Sequence, residues 1–300
     1  MNYVTCIQRT LDYIEENLET QITLEKLAEI ACFSPFHYHR VFQAMIGESV
    51  MDYVRKRRLT RAAERLFFTD EKVIDIALDV GFHYQESFNR AFKKFYDVSP
   101  KQYRNASRIS GPLRGKAYLT TTTTTLLSGG NKMEPKLVTK SAFYVIGYEL
   151  KTKNEGGQNN KDIPEFWQQY MQNGLGSKIP NPLNENAELG ICTDFNPETG
   201  EFVYIIGMEV KEGTPAPEGT VYRSFPELEY AVFTTPKSNE ESFTSSIQST
   251  WNYVFTEWFP ESGYEHYGSM EFELYDKRCY GSENKEIDIY IPVKKQTVKA

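Results

Sequence analysis

The stretch LAEIACFSPFHYHRVFQAMIGESVMDY (residues 27–53) returns in altered form as IALDVGFHYQESFNRAFKKFYDVSPKQY (residues 76–103). Residues that recur fifty positions later are Arg40, Phe42, Ser49 and Tyr53, as Arg90, Phe92, Ser99 and Tyr103. The upstream pair Cys32-Phe33 recurs 49 positions later, as Gly81-Phe82. The turn of the second copy is therefore one residue longer than the turn of the first. A repeat of this kind predicts one structural unit that occurs twice.

Apolar residues in both copies follow the i, i+3, i+4 spacing of an amphipathic helix. Ser34 followed by Pro35 is a typical helix start, because serine caps free N–H groups and proline suits the first turn. Each copy therefore predicts a helix, a tight turn and a second helix, which is a helix-turn-helix unit. Between the copies, Met51–Phe68 is predicted to be a connecting helix roughly 27 Å long, at 1.5 Å per residue.

The second helix of each unit is the candidate for reading DNA bases, since arginine, glutamine and asparagine match guanine and adenine edges. On the first unit the predicted DNA-binding residues are Ser34, Phe36, His39, Arg40 and Gln43, with Val41, Phe42 and Met45 turned inward. On the second unit they are Tyr84, Gln85, Glu86, Asn89 and Arg90, with Phe88, Phe92 and Phe95 in the core.

Basic side chains around these helices are candidates for phosphate contacts, which position a protein on DNA. They are Lys93 and Lys94, together with Lys56, Arg57, Arg58, Arg61, Lys101 and Arg104. Two alternatives stay open. The first is that a given basic side chain only lies on a solvated helix face. The second is that Arg40 and Arg90 brace their own helices instead of contacting bases.

These residues resemble the DNA-binding domain of the AraC/XylS family of bacterial transcription regulators. The specific parts are the GF pair, F-x-R-x-F-K-K and SP-x-x-YR in the second copy. The resemblance implies a monomer that contacts two adjacent major grooves of double-stranded promoter DNA and bends it. The sequence departs from the pattern at Asp97, where the family usually has glycine, and at Phe36, where multidrug-resistance relatives often have tryptophan.

The chain divides into two parts of different charge. Residues 1–116 contain 18 Lys+Arg and 15 Asp+Glu, whereas residues 117–300 contain 16 and 26. We predict an all-α domain at 1–108, a linker at 109–133 that includes Thr120–Thr125, and an α+β domain at 134–296. Because threonine is β-branched, a strand at 118–127 is the alternative to a linker there.

The acidic half is predicted to contain two β-α-β-β repeats that form an antiparallel sheet with two helices and a cleft. Segments with strand composition are 137–150, 187–194, 202–210, 220–234, 268–275 and 286–293. The helical stretches are 162–173 and 241–259. The whole chain is thus a multidomain protein, a double helix-turn-helix domain followed by this α+β domain.

An aromatic cleft with one carboxylate is a physical solution for binding a lipophilic cation, since ring faces attract the charge and the carboxylate neutralises it. Residues 117–300 hold 26 of the 42 aromatic residues and every tryptophan. Glu273 is the candidate carboxylate, and strand alternation places Glu271 and Tyr275 on its face. The alternatives are that Glu273 is an exposed surface residue and that the tryptophans only fill the core.

This half resembles the GyrI-like effector-binding domain of bacterial multidrug-responsive regulators, through FELYD followed by IDIYIPVK and the doubled strand order. The resemblance implies that Glu273 lies in the ligand cleft and, less specifically, that Trp167, Tyr204 and Trp251 line it. An AraC-type domain joined to a GyrI-like domain is the arrangement of the Rob group of regulators.

The expected function is a transcription regulator, an activator that responds to a small lipophilic, cationic effector and contacts RNA polymerase. Four separated cysteines and an N-terminus without a secretory signal predict a cytoplasmic protein. We expect no cofactor, no metal, no membrane association and no enzymatic activity. Two alternatives for the acidic half are a protein-interaction module and a hydrolase in which Glu273 and Tyr204 activate water.

Overall fold

The computed structural model describes residues 3–105, 114–119, 132–268 and 270–296. The chain separates into two compact units, Asn2–Thr124 and Thr125–Ala300. Most of the predicted linker, together with Thr120–Thr125 and the alternative strand there, lies outside the described residues.

The first unit is helical throughout its described elements. They are α1 (Tyr3–Glu16), α2 (Leu24–Ala31), α3 (Pro35–Ile46), α4 (Val50–Phe68), α5 (Val73–Asp79), α6 (Gln85–Tyr96) and α7 (Pro100–Arg104). The pairs α2–α3 and α5–α6 are the two predicted helix-turn-helix units, and α4 is the predicted connecting helix. The prediction of an all-α double helix-turn-helix domain is therefore confirmed.

Serine caps begin two of the helices, at Ser34, where the sequence predicts a helix start, and at Ser99. The Ser34 hydroxyl accepts a hydrogen bond from the backbone N–H of His37 at 3.3 Å, and Pro35 occupies the first turn of α3. Ser99 caps α7 in the same way, and Gln102 accepts a bond back from the Ser99 N–H at 2.9 Å. These caps satisfy backbone donors that the first turn of a helix leaves without partners.

The two repeats share their turn geometry but not the residues that adopt it. Cys32 and its counterpart Gly81 both have left-handed backbone angles, with φ of 59° and 80°. Gly47 and its counterpart Asp97 do the same, with φ of 82° and 60°. The departure at Asp97 thus lies at a helix C-terminus, where a left-handed residue ends the helix.

The second unit is an α+β structure. Its described strands are β1 (Lys136–Lys140), β2 (Phe143–Lys153), β3 (Glu188–Thr193), β4 (Glu201–Val210), β5 (Val221–Phe225), β6 (Leu228–Thr234), β7 (Tyr264–His266), β8 (Glu271–Tyr275) and β9 (Asp288–Lys295). Its helices are α8 (Asn159–Gln172), α9 (Phe243–Tyr253) and α10 (Phe259–Ser262), with a π-helical turn at Val254–Trp258 between the last two. The strands lie in the order β1-β6-β9-β8-β3-β4-β2-β5, with β7 beside β9, and every pair is antiparallel. The predicted antiparallel sheet is confirmed.

The structure corrects the first strand of each repeat, which is divided in two. Strands β1 and β2 separate at residues 141–142, and β5 and β6 separate at Pro226, which has no N–H to donate to a ladder. Lys140 pairs with Leu228 and Phe143 with Phe225, so one register continues across both breaks. Since β1-β6 and β2-β5 are the two ends of the strand order, these bent strands close the sheet on itself.

The two faces of the sheet have different neighbours. On one face Phe143 of β2 lies 5.6 Å from Phe272 of β8, ring centre to ring centre, although β4 and β3 separate these strands. Residues of six strands form a single apolar core on this inner face. The helix α8 packs against the opposite face, where Tyr170 and Trp167 join Tyr204 in a second cluster.

Candidate functional site

Glu273 lies near the middle of the helix-covered face. Its strand position is opposite Gly190 of β3 and Ile289 of β9. The side chain is half-buried, so the alternative of a freely exposed surface carboxylate does not describe it. Three neutral groups donate hydrogen bonds to the carboxylate: Trp251 Nε1 at 2.8 Å, the Tyr275 hydroxyl at 2.8 Å and the Tyr204 hydroxyl at 3.1 Å.

The remaining aromatic candidate joins the same network. Trp167 Nε1 donates to the Tyr204 hydroxyl at 3.0 Å, and the Trp167 ring lies 4.6 Å from the ring of Tyr275. Helix α8 supplies Trp167 and helix α9 supplies Trp251, so one tryptophan comes from each repeat. The structure thus brings the five residues predicted for effector binding into one connected group, and their binding role stays a prediction. We call this group, Glu273, Tyr204, Tyr275, Trp167 and Trp251, the carboxylate network.

A glycine that the sequence analysis missed makes room for the network. A Cβ atom on Gly190 would clash with the Tyr204 hydroxyl and would lie 3.3 Å from Glu273 Oε2. Glycine within a strand pattern commonly marks such a close approach, and this signal was present in Leu189-Gly190-Ile191.

The phenols of the network are held as hydrogen-bond donors. Burial raises the pKa of the Tyr204 hydroxyl well above its usual value, and the nearby charge of Glu273 raises it further. The same two causes raise the pKa of Tyr275. Both phenols therefore remain protonated near neutral pH and orient the carboxylate.

A second acidic residue of this face is not part of the network. Glu271 is fully buried, and its Oε1 lies 3.1 Å from Nε2 of the equally buried His266 on β7. Strand alternation placed Glu271 on the face of Glu273, but nothing in the sequence indicated the histidine, which comes from a neighbouring strand. Among the residues that the structure describes, no group of His, Cys, Asp or Glu side chains has the arrangement of a metal site.

The second helix-turn-helix unit presents the predicted surface. Tyr84 is 75% exposed, Glu86, Arg90, Lys93 and Lys94 are exposed, and Gln85 and Asn89 are half-buried. Phe88 and Phe92 are buried in the core of this unit, as expected, and Phe95 packs against it. Helix α6 therefore carries its polar candidates on one side and its aromatic residues on the other.

The first unit corrects two predicted positions. Arg40 and Gln43 are half-buried and Ser34 is exposed, but Phe36 and His39 are buried rather than exposed. Helix α3 buries more than the single stripe that the sequence pattern indicated. Both side chains can be buried without a charge, because Phe36 is apolar and burial lowers the pKa of His39 to about 3.

Three of the predicted phosphate contacts are occupied by the fold. Arg57 donates to both carboxylate oxygens of Glu15 on α1, at 2.7 and 2.6 Å. Arg58 donates to the carbonyl oxygens that follow α1, at 2.9 Å to Leu18 and 2.6 Å to Thr20. Arg104 donates to the carbonyl oxygens of residues 66 and 71. The fold therefore engages donors of these three arginines, and their contact with phosphate stays a prediction.

The other phosphate candidates divide further. Lys56 pairs with Glu48 and remains partly exposed, whereas Arg61 and Lys101 are exposed, as are Lys93 and Lys94.

No helix within the described ranges has the length and apolar character needed to cross a membrane.

Comparison with protein families assigns both units. The family described as Cass2, integron-associated effector binding protein, matches residues 136–293, which is more than half of the chain. A helix-turn-helix domain family matches residues 27–106.

Curated relatives match between a third and two thirds of the chain. YbfP of Bacillus subtilis, an uncharacterized HTH-type transcriptional regulator, is 46% identical over 119 residues, a match that covers 40% of each chain. The multiple antibiotic resistance protein MarA of Salmonella typhimurium is 38% identical over 98 residues, 33% of this chain and 77% of MarA. The transcriptional regulator BrlR of Pseudomonas aeruginosa is 31% identical over 195 residues, which covers 64% of this chain and 67% of BrlR.

Two solved structures each match about half of the chain at low identity. The structure of SAV2435 bound to tetraphenylphosphonium is 20% identical with a TM-score of 0.46, covering 54% of this chain and 94% of that one. An integron cassette protein from the mobile metagenome of Vibrio cholerae is 17% identical with a TM-score of 0.39, covering 54% and 96%.

Proposed function

This chain belongs to the integron-associated effector-binding protein family and carries an AraC-type helix-turn-helix domain, and on that premise we propose that it is an effector-controlled transcription regulator. The helical unit binds double-stranded promoter DNA. The acidic unit binds a small lipophilic cation, and binding activates transcription through RNA polymerase. Such a regulator works in the cytoplasm, where the promoter is.

The helix arrangement supports DNA binding. Two helix-turn-helix units are joined by α4, whose 19 residues span roughly 28 Å at 1.5 Å per residue. Successive major grooves on one side of DNA are about 34 Å apart. One chain thus carries two candidate recognition helices, and α6 presents Arg90 and Asn89 for base edges.

The observation that carries the effector proposal is the carboxylate of Glu273 at the centre of the carboxylate network, bonded directly to Trp251 and linked to Trp167 through Tyr204. Trp251, Tyr275 and Tyr204 orient the carboxylate through neutral donors. The rings of Trp167 and Tyr275 provide π faces beside it. An aromatic cation gains both from those faces and from the carboxylate, whereas an anion of equal shape is repelled.

The test compares two ligands of nearly equal shape and opposite charge, tetraphenylphosphonium and tetraphenylborate. Binding to the full chain is followed by tryptophan fluorescence and calorimetry. We expect saturable binding of the phosphonium only, and at least about a tenfold loss of affinity in Glu273→Gln, equivalent to roughly 1.4 kcal/mol. The matched control, Glu198→Gln, removes an exposed carboxylate from a turn and leaves the affinity unchanged.

The same ligands are then added to promoter DNA, RNA polymerase and the regulator. We expect the phosphonium to increase transcription with the wild type and with Glu198→Gln, but not with Glu273→Gln. Equal affinity for both ions, or for both variants, overturns the effector role of Glu273. Chemical turnover of a bound ligand favours the hydrolase alternative, in which the 3.1 Å contact between Tyr204 and Glu273 activates water.

A further inference from the structure

A second carboxylate lies on the same face of the sheet as Glu273. Glu188 of β3 is opposite Tyr275 of β8, and Gly190 of β3 is opposite Glu273. Glu188 and Glu273 are thus diagonal neighbours on adjacent strands, with a typical separation of about 7–8 Å between Cα atoms. Alternation places both side chains on the helix-covered side.

A buried hydroxyl without a partner lies beside Glu188. Tyr170 of α8 is 1% exposed, and its hydroxyl has no hydrogen-bond partner among the described residues. Buried polar groups in proteins are rarely left in this condition, because removal from water costs free energy that only a hydrogen bond recovers. The hydroxyl therefore marks a place where a polar ligand atom would gain a bond.

Gly176 lets the Tyr170 hydroxyl approach its backbone closely. The point that a Cβ atom of Gly176 would occupy lies 2.8 Å from the Tyr170 hydroxyl and 3.4 Å from Glu188 Oε1. The other carboxylate oxygen, Oε2, accepts a hydrogen bond from the Tyr280 hydroxyl at 3.2 Å. The Tyr170 hydroxyl and Glu188 Oε1 thus border one small space beside Gly176, and a side chain at position 176 would clash with the hydroxyl.

The electrostatics of this space favour a cation. Burial raises the pKa of Glu188, so its ionised form lacks the stabilisation that water or a positive partner provides. Burial together with the charge of Glu188 raises the pKa of Tyr280 to about 12 and raises that of Tyr170 as well. A positive group in the space would stabilise the carboxylate.

Aromatic rings connect the two carboxylates. The Trp167 ring lies 4.6 Å from Tyr275, which donates to Glu273, and 5.8 Å from Tyr170, which lies beside Glu188. A ligand that bridges the two carboxylates would keep its apolar part against these rings. The small space at Glu188 suits a group with N–H donors, since both oxygens there can accept.

We propose that Glu188, Tyr170 and Gly176 form a second cation subsite, so that the preferred effectors carry an aromatic cation at Glu273 and an ammonium group at Glu188. This proposal rests on the proposed function, because it presupposes that the carboxylate network binds the first cation. It narrows the effector class from lipophilic cations to dications with one N–H-bearing group.

The test uses aminoalkyl-triphenylphosphonium ions with chains from propyl to hexyl. Each is compared with its N-acetylated twin, which has the same chain but lacks the second charge. In the full chain we expect the best amine to bind at least about tenfold more tightly than its twin. In Glu188→Gln and Gly176→Ala this advantage falls below about threefold, while the acetylated twins bind as they do to the wild type.

Tyr170→Phe separates a ligand-binding hydroxyl from a structural one. Because this variant removes a buried hydroxyl without a partner, we expect the free protein to melt at a higher temperature, while the amine advantage decreases. The control Glu198→Gln changes neither quantity.

The outcomes distinguish the two proposals. Equal affinity for amine and acetylated twin in the wild type, or an amine advantage retained in both Glu188→Gln and Gly176→Ala, overturns the second subsite and leaves the first intact. Failure of every phosphonium to bind overturns the proposed function and this inference with it.

Discussion

At the scale of single residues, the two helix-turn-helix copies place different residues at the same left-handed backbone positions, and the free-energy cost of that conformation differs between these residues. The left-handed position after α2 holds Cys32, and its counterpart after α5 holds Gly81. At the helix ends the order is reversed, with Gly47 after α3 and Asp97 after α6. A left-handed conformation costs roughly 1–2 kcal/mol for a residue with a Cβ atom, so each copy carries one such cost and avoids the other.

Two glycine substitutions separate backbone strain from crowding. Gly47 and Gly81 have nearly equal φ, but a Cβ atom at 47 meets nothing within 4 Å, whereas at 81 it lies 2.6 Å from the Arg58 guanidinium carbon. We expect Gly47→Ala to lower the free energy of unfolding by about 1 kcal/mol. Gly81→Ala should cost about 1–3 kcal/mol more, because Arg58 must leave the carbonyl oxygens that it binds.

The measurement is urea unfolding of the full chain followed by circular dichroism at a helical wavelength. Equal losses in the two variants would show that Arg58 moves aside freely and that its bonds contribute little.

His39 gives the stability a dependence on pH. Burial, with a smaller effect of the Arg40 charge, lowers its pKa to about 3, whereas an unfolded histidine has a pKa near 6.5. Between these values the unfolded chain binds more protons than the folded one, so a falling pH favours unfolding. We expect the free energy of unfolding to be largest above about pH 6.5 and to decrease by up to ~1.4 kcal/mol per pH unit below it.

The control for this prediction is the exposed His83. The wild type, His39→Gln and His83→Gln are unfolded in urea across the acidic range. His39→Gln should lose the slope that His83→Gln retains. A pH-independent difference between the wild type and His39→Gln would contradict the burial of a neutral imidazole.

At the scale of elements, α6 combines a buried aromatic side with an exposed polar side. Phe88, Phe92 and Tyr96 hold it against α4 and α7, which leaves Arg90 and Lys93 outside. Side chains on one helix can therefore serve two kinds of contact with DNA, base edges and phosphates.

Substitutions on α6 should separate these contacts. Arg90→Ala is expected to weaken binding at the preferred site by about 1–3 kcal/mol and to relax specificity there, as loss of a base contact does. Lys93→Ala should weaken binding to all sequences alike. It should also reduce the slope of log affinity against log salt concentration by about one, since one fewer counterion is released.

Both variants are compared with Lys26→Ala, an exposed lysine on α2 that pairs with Glu29. Affinity for a selected site and for random DNA is measured by fluorescence anisotropy over a range of salt concentrations. A sequence-selective loss of affinity in Lys93→Ala would show that Lys93 contacts bases. A loss of affinity in Arg90→Ala that is equal for all sequences would show that Arg90 contacts phosphate.

At the scale of the whole molecule, the chain consists of two units, and residues 114–119 contact the helical one. The backbone N–H of Ala117 donates to the Tyr53 hydroxyl at 3.0 Å, and that of Leu119 donates to Gln8 Oε1 at 2.9 Å. Lys116 pairs with Asp12 at 2.7 Å. This part of the predicted linker therefore has partners on α1 and α4.

Truncation tests whether these contacts stabilise the helical unit. Fragment 1–119 should unfold with a free energy about 1–3 kcal/mol higher than fragment 1–105, since each hydrogen bond contributes about 0.5–1.5 kcal/mol and ordering the segment offsets part of the gain. Both fragments are expected to bind DNA with the preference of the full chain. Equal stabilities would show that the segment adds nothing, and loss of DNA binding in both would refute the division into domains.

Local patterns were enough to predict much of this protein. The helix-turn-helix copies, the Ser34 cap and the aromatic core of α6 follow from apolar spacing and from a cap residue, which act within a few positions of the chain. Strand alternation placed Glu273 and Tyr275 on one face for the same reason.

Only the tertiary structure decided which distant residues meet. Arg57 finds Glu15, the bent strands at Pro226 close the sheet, Gly190 leaves space for Tyr204, and Glu188 comes to lie beside Tyr170. None of these contacts has a local signature that identifies its partner, because pairing across a closed sheet depends on the register and burial of the whole unit. The sequence by itself determined which elements form and which side chains could bind. The fold determined which of those side chains remain available, because buried groups take the partners that folding brings to them.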